Sequence, residues 1–199
     1  MKGRVAIVGW GSLIWDPDNL APRLAGAWRM GAGPRLPLEF SRVSAKRLGA
    51  LAVCIDEAAG VPCATHAVLS AREDADAARA DLARRERAPL ARIGLFCART
   101  GRAEGPAAQA AAAWAEENGL AGAVWTGLES NFLEETGAPF TLERAEAHLR
   151  ALTGDSRREA VRYIENAPRW TDTPLRRRLA GRDWWRAEAA RLSGEDQRR

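Results

Sequence analysis

The feature that most narrows what this 199-residue chain can fold into is a change of hydrophobic period near Leu69. Before it, apolar residues come in short runs at positions 5–8, 36–41, 48–55 and 62–69, each bounded by glycine, proline or charge, which predicts strands. After it, apolar residues recur at helical spacing, interrupted by two further strand-like runs at 92–98 and 122–128. Strands first and helices later predict an α+β fold over a regular βαβ winding. Ser70-Ala71-Arg72-Glu73 reads as a capping box opening a helix that runs to about Ala88, where Pro89 stops it. An alanine-rich helix is expected at 106–117, with later starts at Ser130, Thr141, Ser156 and Thr173, the last followed by Pro174 at the first helical position. A glycine- and proline-punctuated connection, 15–35, separates the first two strands, and connections of that length are often functional.

With 46% hydrophobic and 28% charged residues, the chain has the balance of a globular protein able to bury one core. It reads as a single domain over 1–199, with a polar, frayed tail at 193–199. No apolar run approaches the roughly 18–20 residues of a membrane span. The four-residue apolar stretch after Arg4 is too short for an export signal, so a cytoplasmic location is expected. Cys54, Cys63 and Cys97 form no CxxC pair and sit in apolar stretches, as expected of reduced, buried thiols. The formal charge of +4 is spread along the chain and gives no argument for a nucleic-acid partner, the arginine-rich 176–191 segment being the one place such a partner would use. Arginine supplies nearly all the positive charge, and lysine occurs only at Lys2 and Lys46.

Gly9-Trp10-Gly11-Ser12-Leu13 follows the first strand directly. Two glycines let the backbone turn sharply, and successive N–H groups in such a turn can form an anion-binding concavity. A dinucleotide fingerprint fails because Ile14 stands where a small residue is needed and Pro17 follows at once, and neither a Walker lysine nor a GxSxG elbow is present. A simple tight turn, with Ser12 as a helix cap, is the competing interpretation.

Glu86 extends the stripe Ala71, Ala75, Ala78, Leu82 onto the face expected to pack inward. It falls in the last helical turn, where the negative end of the helix dipole and partial burial both disfavour ionisation, which suits general-base work. The competing account is a structural ion pair, since Arg85, Arg87 and Arg92 are near. Cys63 and His66 look like half a zinc site, but on one strand they point to opposite faces and cannot share an ion. Neither His66 nor His148 carries a motif tying it to Ser12, so a serine triad lacks support. Of the eight tryptophans, Trp10 and Trp15 flank the glycine turn and are candidates to line a pocket.

Taken together, VAIVGWGSL at 5–13 resembles the YGSL signature of the γ-glutamylcyclotransferase-like superfamily, and Leu82-Ala-Arg-Arg-Glu86 resembles that superfamily's LxxRE element. Ala123-Val-Trp-Thr126, Tyr163-Ile-Glu-Asn-Ala-Pro168 and Thr173-Pro-Leu-Arg-Arg-Arg178 look like elements of its bacterial members, so the likeness spans most of the chain.

The resemblance implies a mixed β-barrel with flanking helices and a cavity at its mouth. It implies that Glu86 is the catalytic acid/base and that Gly9, Trp10, Gly11, Ser12, Leu13 and Trp125 bind substrate, Trp10 standing where the family has tyrosine. The implied reaction is attack of a γ-glutamyl α-amine on its own γ-carbonyl, giving 5-oxoproline and a free amine or amino acid, with no metal and no organic cofactor. A non-catalytic ligand-binding or regulatory module on the same fold is the alternative. The implied partner is a small γ-glutamyl compound, with no nucleic acid and no membrane, and the oligomeric state is open.

Overall fold

The computed structural model describes residues 3–196. Among the described residues nine strands form in chain order: β1 (Val5–Gly9), β2 (Leu24–Arg29), β3 (Arg35–Ser44), β4 (Ala50–Ile55), β5 (Val61–Ala64), β6 (His66–Ser70), β7 (Ile93–Cys97), β8 (Arg102–Glu104) and β9 (Gly122–Thr126). Seven α-helices join them: α1 (Ala75–Glu86), α2 (Ala108–Glu117), α3 (Phe132–Thr136), α4 (Leu142–Ala151), α5 (Gly154–Asn166), α6 (Pro174–Ala180) and α7 (Asp183–Asp196). The architecture is mixed α+β, with most of the helices following the last strand, as the change of period predicts.

Six strands form one mixed sheet in the order β2-β6-β1-β9-β7-β8, and three form a second in the order β4-β3-β5. The implied barrel is not what the strands make: among the described residues no closed barrel is found, and the larger sheet ends on β2 and β8. The break falls inside the run expected as one strand at 62–69. Residues 61–64 pair with β3 and residues 66–69 pair with β1. Thr65 between them is fully buried and spends its polar atoms sideways, its hydroxyl donating to the Pro34 carbonyl at 2.6 Å and its own carbonyl accepting from Gly33 N–H at 3.1 Å. Cys63 and His66 thereby belong to different sheets.

β1 is buried along its whole length, which is why it reads as a continuous apolar run. Its alternate side chains enter two cores. Ala6 and Val8 join Phe40, Trp125, Phe132 and Trp185, while Val5 and Ile7 join Leu82, Ile93 and Val124 beneath α1. β1 runs antiparallel to β6 and parallel to β9, with Val8 opposite Trp125, so the chain leaving β1 and the chain leaving β9 emerge together.

The start of α1 differs from expectation. Ser70 stays in β6, and its hydroxyl accepts the Arg72 N–H rather than capping a helix; Asp74 is the cap, its Oδ2 accepting from Ala77 N–H at 2.9 Å. The sheet holds Ser70 extended, so the chain must first leave the strand before a helix can begin. Thr141 and Thr173 do cap α4 and α6, and Pro174 occupies the first turn as expected. The 15–35 connection contains β2, a half-exposed edge strand interrupted near Gly26, whose left-handed φ of +100° breaks the alternation that marks a strand. Residues 193–196 continue α7 rather than fraying, and 197–199 lie outside the described residues. The three thiols are free and buried. No helix among the described residues is long and apolar enough to cross a membrane.

Candidate active site

β1 passes through Trp10 into a single 3-10 turn, Gly11–Leu13. Gly11 takes φ +54°, and a β-carbon there would lie 2.6 Å from the Tyr163 hydroxyl and 2.9 Å from a Val53 methyl. Both the left-handed backbone and the lack of room demand glycine. The turn is closed by Ile14 N–H donating to the Gly11 carbonyl and by Trp15 and Asp16 N–H donating to that of Ser12. The N–H groups of Gly11 and Ser12, at the start of the turn, have no backbone acceptor among the described residues, the usual condition of the first donors of a helical turn.

Glu86 is the last residue of α1, whose Ala75, Ala78 and Leu82 are buried against the larger sheet. Arg87, in the left-handed region at φ +51°, ends the helix and turns the chain away. The Glu86 side chain is 13% exposed. Its Oε1 accepts from the Thr126 hydroxyl at 3.1 Å, at the end of β9, and from Arg85 Nη1 at 3.0 Å. Both contacts fall on one oxygen, and among the described residues Oε2 has no hydrogen bond.

Arg85 connects this carboxylate to the glycine turn. Its Nη2 donates to the Asp16 carbonyl at 2.6 Å and to the Ser12 hydroxyl at 3.3 Å, and the side chain is 6% exposed. The two accounts of Glu86 that the sequence leaves open, acid/base and structural ion pair, therefore coincide in part: the carboxylate is ion-paired, and it also borders open space.

That space is a cavity of about 320 Å³, walled by Trp10, Ser12, Leu13, Arg85, Glu86, Thr126 and Tyr163 and by the end of β3 with the connection to β4. Of the residues implied by the resemblance, Trp10, Ser12, Leu13 and Glu86 meet on this wall. Gly11 lies behind it against Tyr163, and Gly9 lies under Trp28, whose ring is 2.5 Å from where a β-carbon would sit. Trp125 is fully buried with Nε1 donating to the Pro106 carbonyl at 2.9 Å and is not on the wall, while its neighbour Thr126 is.

Two other wall groups have fixed protonation at neutral pH. Burial pushes the Tyr163 phenol up to about 12, so it remains a neutral hydroxyl. Burial likewise holds the Cys54 thiol at about 12, with Ser41 Oγ at 3.3 Å, which makes it a poor nucleophile. Arg47 stacks over the Tyr163 ring at 4.3 Å and pairs with Glu159 at 2.5 Å. Sequence reasoning gives no role to Thr126, Tyr163 or the β3–β4 connection. Thr126 and Tyr163 fall inside the segments that resemble the family, but no local pattern marks residues 42–47, which reach the cavity only through the β3–β4 pairing. Among the described residues no three His, Cys, Asp or Glu side chains cluster so as to hold a metal ion.

The fold and site define a mixed α+β protein with a cavity bordered by Glu86 and by the glycine turn. No family model, no curated protein and no solved structure matches the chain.

Proposed function

We propose that the protein is a γ-glutamylcyclotransferase-like enzyme that cleaves a small γ-glutamyl amide by internal ring closure. The observation that carries this reading is that Glu86 and the turn through Ser12 and Leu13 border one cavity. In the proposed reaction the free α-amine attacks the γ-carbonyl carbon, a new C–N bond closes a five-membered ring, and the carbonyl oxygen becomes an oxyanion. Ring closure has the advantage of a nucleophile already tethered to its target. Backbone N–H groups of the turn stabilise the oxyanion. Glu86, through the unbonded Oε2, takes the proton from the attacking nitrogen and returns it to the departing nitrogen as the old C–N bond breaks. The products are 5-oxoproline and a free amine or amino acid; the chain's own groups balance the protons, and no water is consumed.

Purified protein incubated with γ-glutamyl amino acids and γ-glutamyl amines is expected to release 5-oxoproline, and Glu86→Gln is expected to remove that release. Absence of product across the panel, or full turnover by Glu86→Gln, overturns the assignment. The Arg85–Glu86 ion pair favours a second reading, in which the cavity binds a γ-glutamyl compound without turning it over. Saturable binding with no product separates the two.

A further inference from the structure

A glutamate carboxylate turns easily about its last bond, because that torsion joins a tetrahedral carbon to a planar one and has no sharp preferred angle. What fixes the plane of the Glu86 carboxylate must therefore lie outside the residue's own torsions. Two donors from different elements reach Oε1: Arg85 Nη1 from α1 at 3.0 Å, and the Thr126 hydroxyl from the end of β9 at 3.1 Å. Arg85 cannot follow a carboxylate that swings, because its Nη2 is tied to the Asp16 carbonyl at 2.6 Å.

Thr126 stands on a firm support. Trp125 before it is fully buried, with its indole N–H on the Pro106 carbonyl at 2.9 Å. Gly127 after it donates its N–H to the Arg92 carbonyl at 2.8 Å, and a β-carbon on Gly127 would come within 3.0 Å of that same oxygen. Thr126 itself lies opposite Ile93 of β7. Because β9 runs parallel to β1 with Val8 opposite Trp125, Thr126 ends its strand beside the place where the glycine turn begins. Groups held on strands keep their geometry better than groups held on loops.

We propose that Thr126 is a positioning residue of the ring-closure reaction, its hydroxyl pinning Oε1 of Glu86 so that Oε2 alone carries the proton between the two nitrogens. A hydroxyl has a single hydrogen to donate, and here Oε1 receives it. With the Arg85 N–H on the same atom, Oε1 is occupied both when Glu86 is a carboxylate and when it is the acid, whose carbonyl oxygen still accepts. The proton taken from the attacking amine then stays on Oε2, and the carboxyl group need not rotate before returning it to the departing nitrogen. That purpose rests on the ring-closure reading; the hydrogen bond does not.

Steady-state release of 5-oxoproline from γ-glutamylalanine compares wild type, Thr126→Val and Thr126→Ser. Valine keeps the branched shape and loses the donor, whereas serine keeps the donor and loses the methyl group. Thr126→Val is expected to lower kcat about tenfold with KM within about twofold of wild type, and Thr126→Ser to recover most of the rate. In parallel, the side-chain carboxyl carbon of Glu86 is followed by NMR in protein carrying isotope-labelled glutamate, its signal identified as the one missing from Glu86→Gln. That signal is expected to move in Thr126→Val and to hold its place in Thr126→Ser. A wild-type kcat in Thr126→Val, an equal loss in both variants, or a carboxyl signal that Thr126→Val leaves in place overturns the proposal. If wild type forms no 5-oxoproline, the ring-closure reading falls and the catalytic purpose with it, while the carboxyl signal still decides whether Thr126 holds Glu86. Product formation at the wild-type rate in Thr126→Val removes only the role of Thr126.

Discussion

The Arg85 guanidinium is a bridge between Glu86 Oε1, at 3.0 Å, and the Asp16 carbonyl, at 2.6 Å, so the end of α1 and the turn after β1 are tied by one nearly buried side chain. Two segments 69 residues apart in sequence thereby keep a fixed separation across the cavity. Arg85 touches the carboxylate rather than the proposed substrate, which makes it a positioning residue.

Removing that bridge is expected to be costly. Arg85→Met leaves the Asp16 carbonyl without its donor and Glu86 without its counter-charge, and hydrogen bonds to charged groups contribute about 1.5–3 kcal/mol each when buried. Urea denaturation is expected to show a loss of roughly 2–3 kcal/mol for Arg85→Met. Arg85→Lys, which keeps the charge but cannot form the two-ended fork, is expected to fall between it and wild type. A wild-type midpoint for Arg85→Met removes the bridge from the account.

How much of this is legible in the sequence depends on whether the signal is local. The buried run of β1, the glycine turn and the Thr173–Pro174 helix start are set by adjacent residues, and each forms where the pattern puts it. The inward stripe ending at Glu86 is likewise a property of one helix. The capping box at Ser70 fails because a tertiary constraint overrides a local one: cross-strand pairing with Leu24 keeps Ser70 in the sheet. The run at 62–69 reads as one strand because alternation says nothing about which sheet a strand joins, and Thr65 divides it through contacts with Gly33 and Pro34, more than 30 residues away. The place of the β3–β4 connection on the cavity wall is invisible for the same reason, since its neighbours there come from the turn after β1, from α1 and from α5.

Gly11 tests the geometry of the turn. In Gly11→Ala the left-handed backbone costs about 1–2 kcal/mol, and the new methyl meets the Tyr163 hydroxyl at 2.6 Å. Tyr163 is a buried residue in the core and has little room to retreat. A drop of several degrees in melting temperature is expected, with partial recovery in Gly11→Ala/Tyr163→Phe, where the clashing oxygen is gone. If the second substitution restores nothing, the clash lies elsewhere.

His66 gives a pH dependence whose sign can be worked out. It is fully buried, its Nδ1 accepts the Gly31 N–H at 2.8 Å, its ring meets Trp170 edge-on at 5.4 Å between centroids, and burial pushes it down from 6.5 to about 4. Between those values the unfolded chain binds a proton that the folded chain refuses, so the stability due to this group is complete above about 6.5 and is lost as the pH falls toward 4. The shift corresponds to about 3 kcal/mol. Glu39 acts with the opposite sign. Buried beneath α6 with its oxygens accepting from Phe40 and Leu175 N–H, it is held above the usual carboxylate range by burial, so its contribution falls as the pH rises above 4.5. Comparing wild type with His66→Asn, whose amide oxygen can still accept from Gly31 but does not titrate, isolates the histidine from Glu39 and every other group. The stability difference between the two proteins, measured by urea unfolding, is expected to shift by about 3 kcal/mol in favour of the variant between pH 7 and pH 4. A difference that stays constant across that interval means the imidazole takes up a proton equally well in both states, and its burial then has no titration consequence.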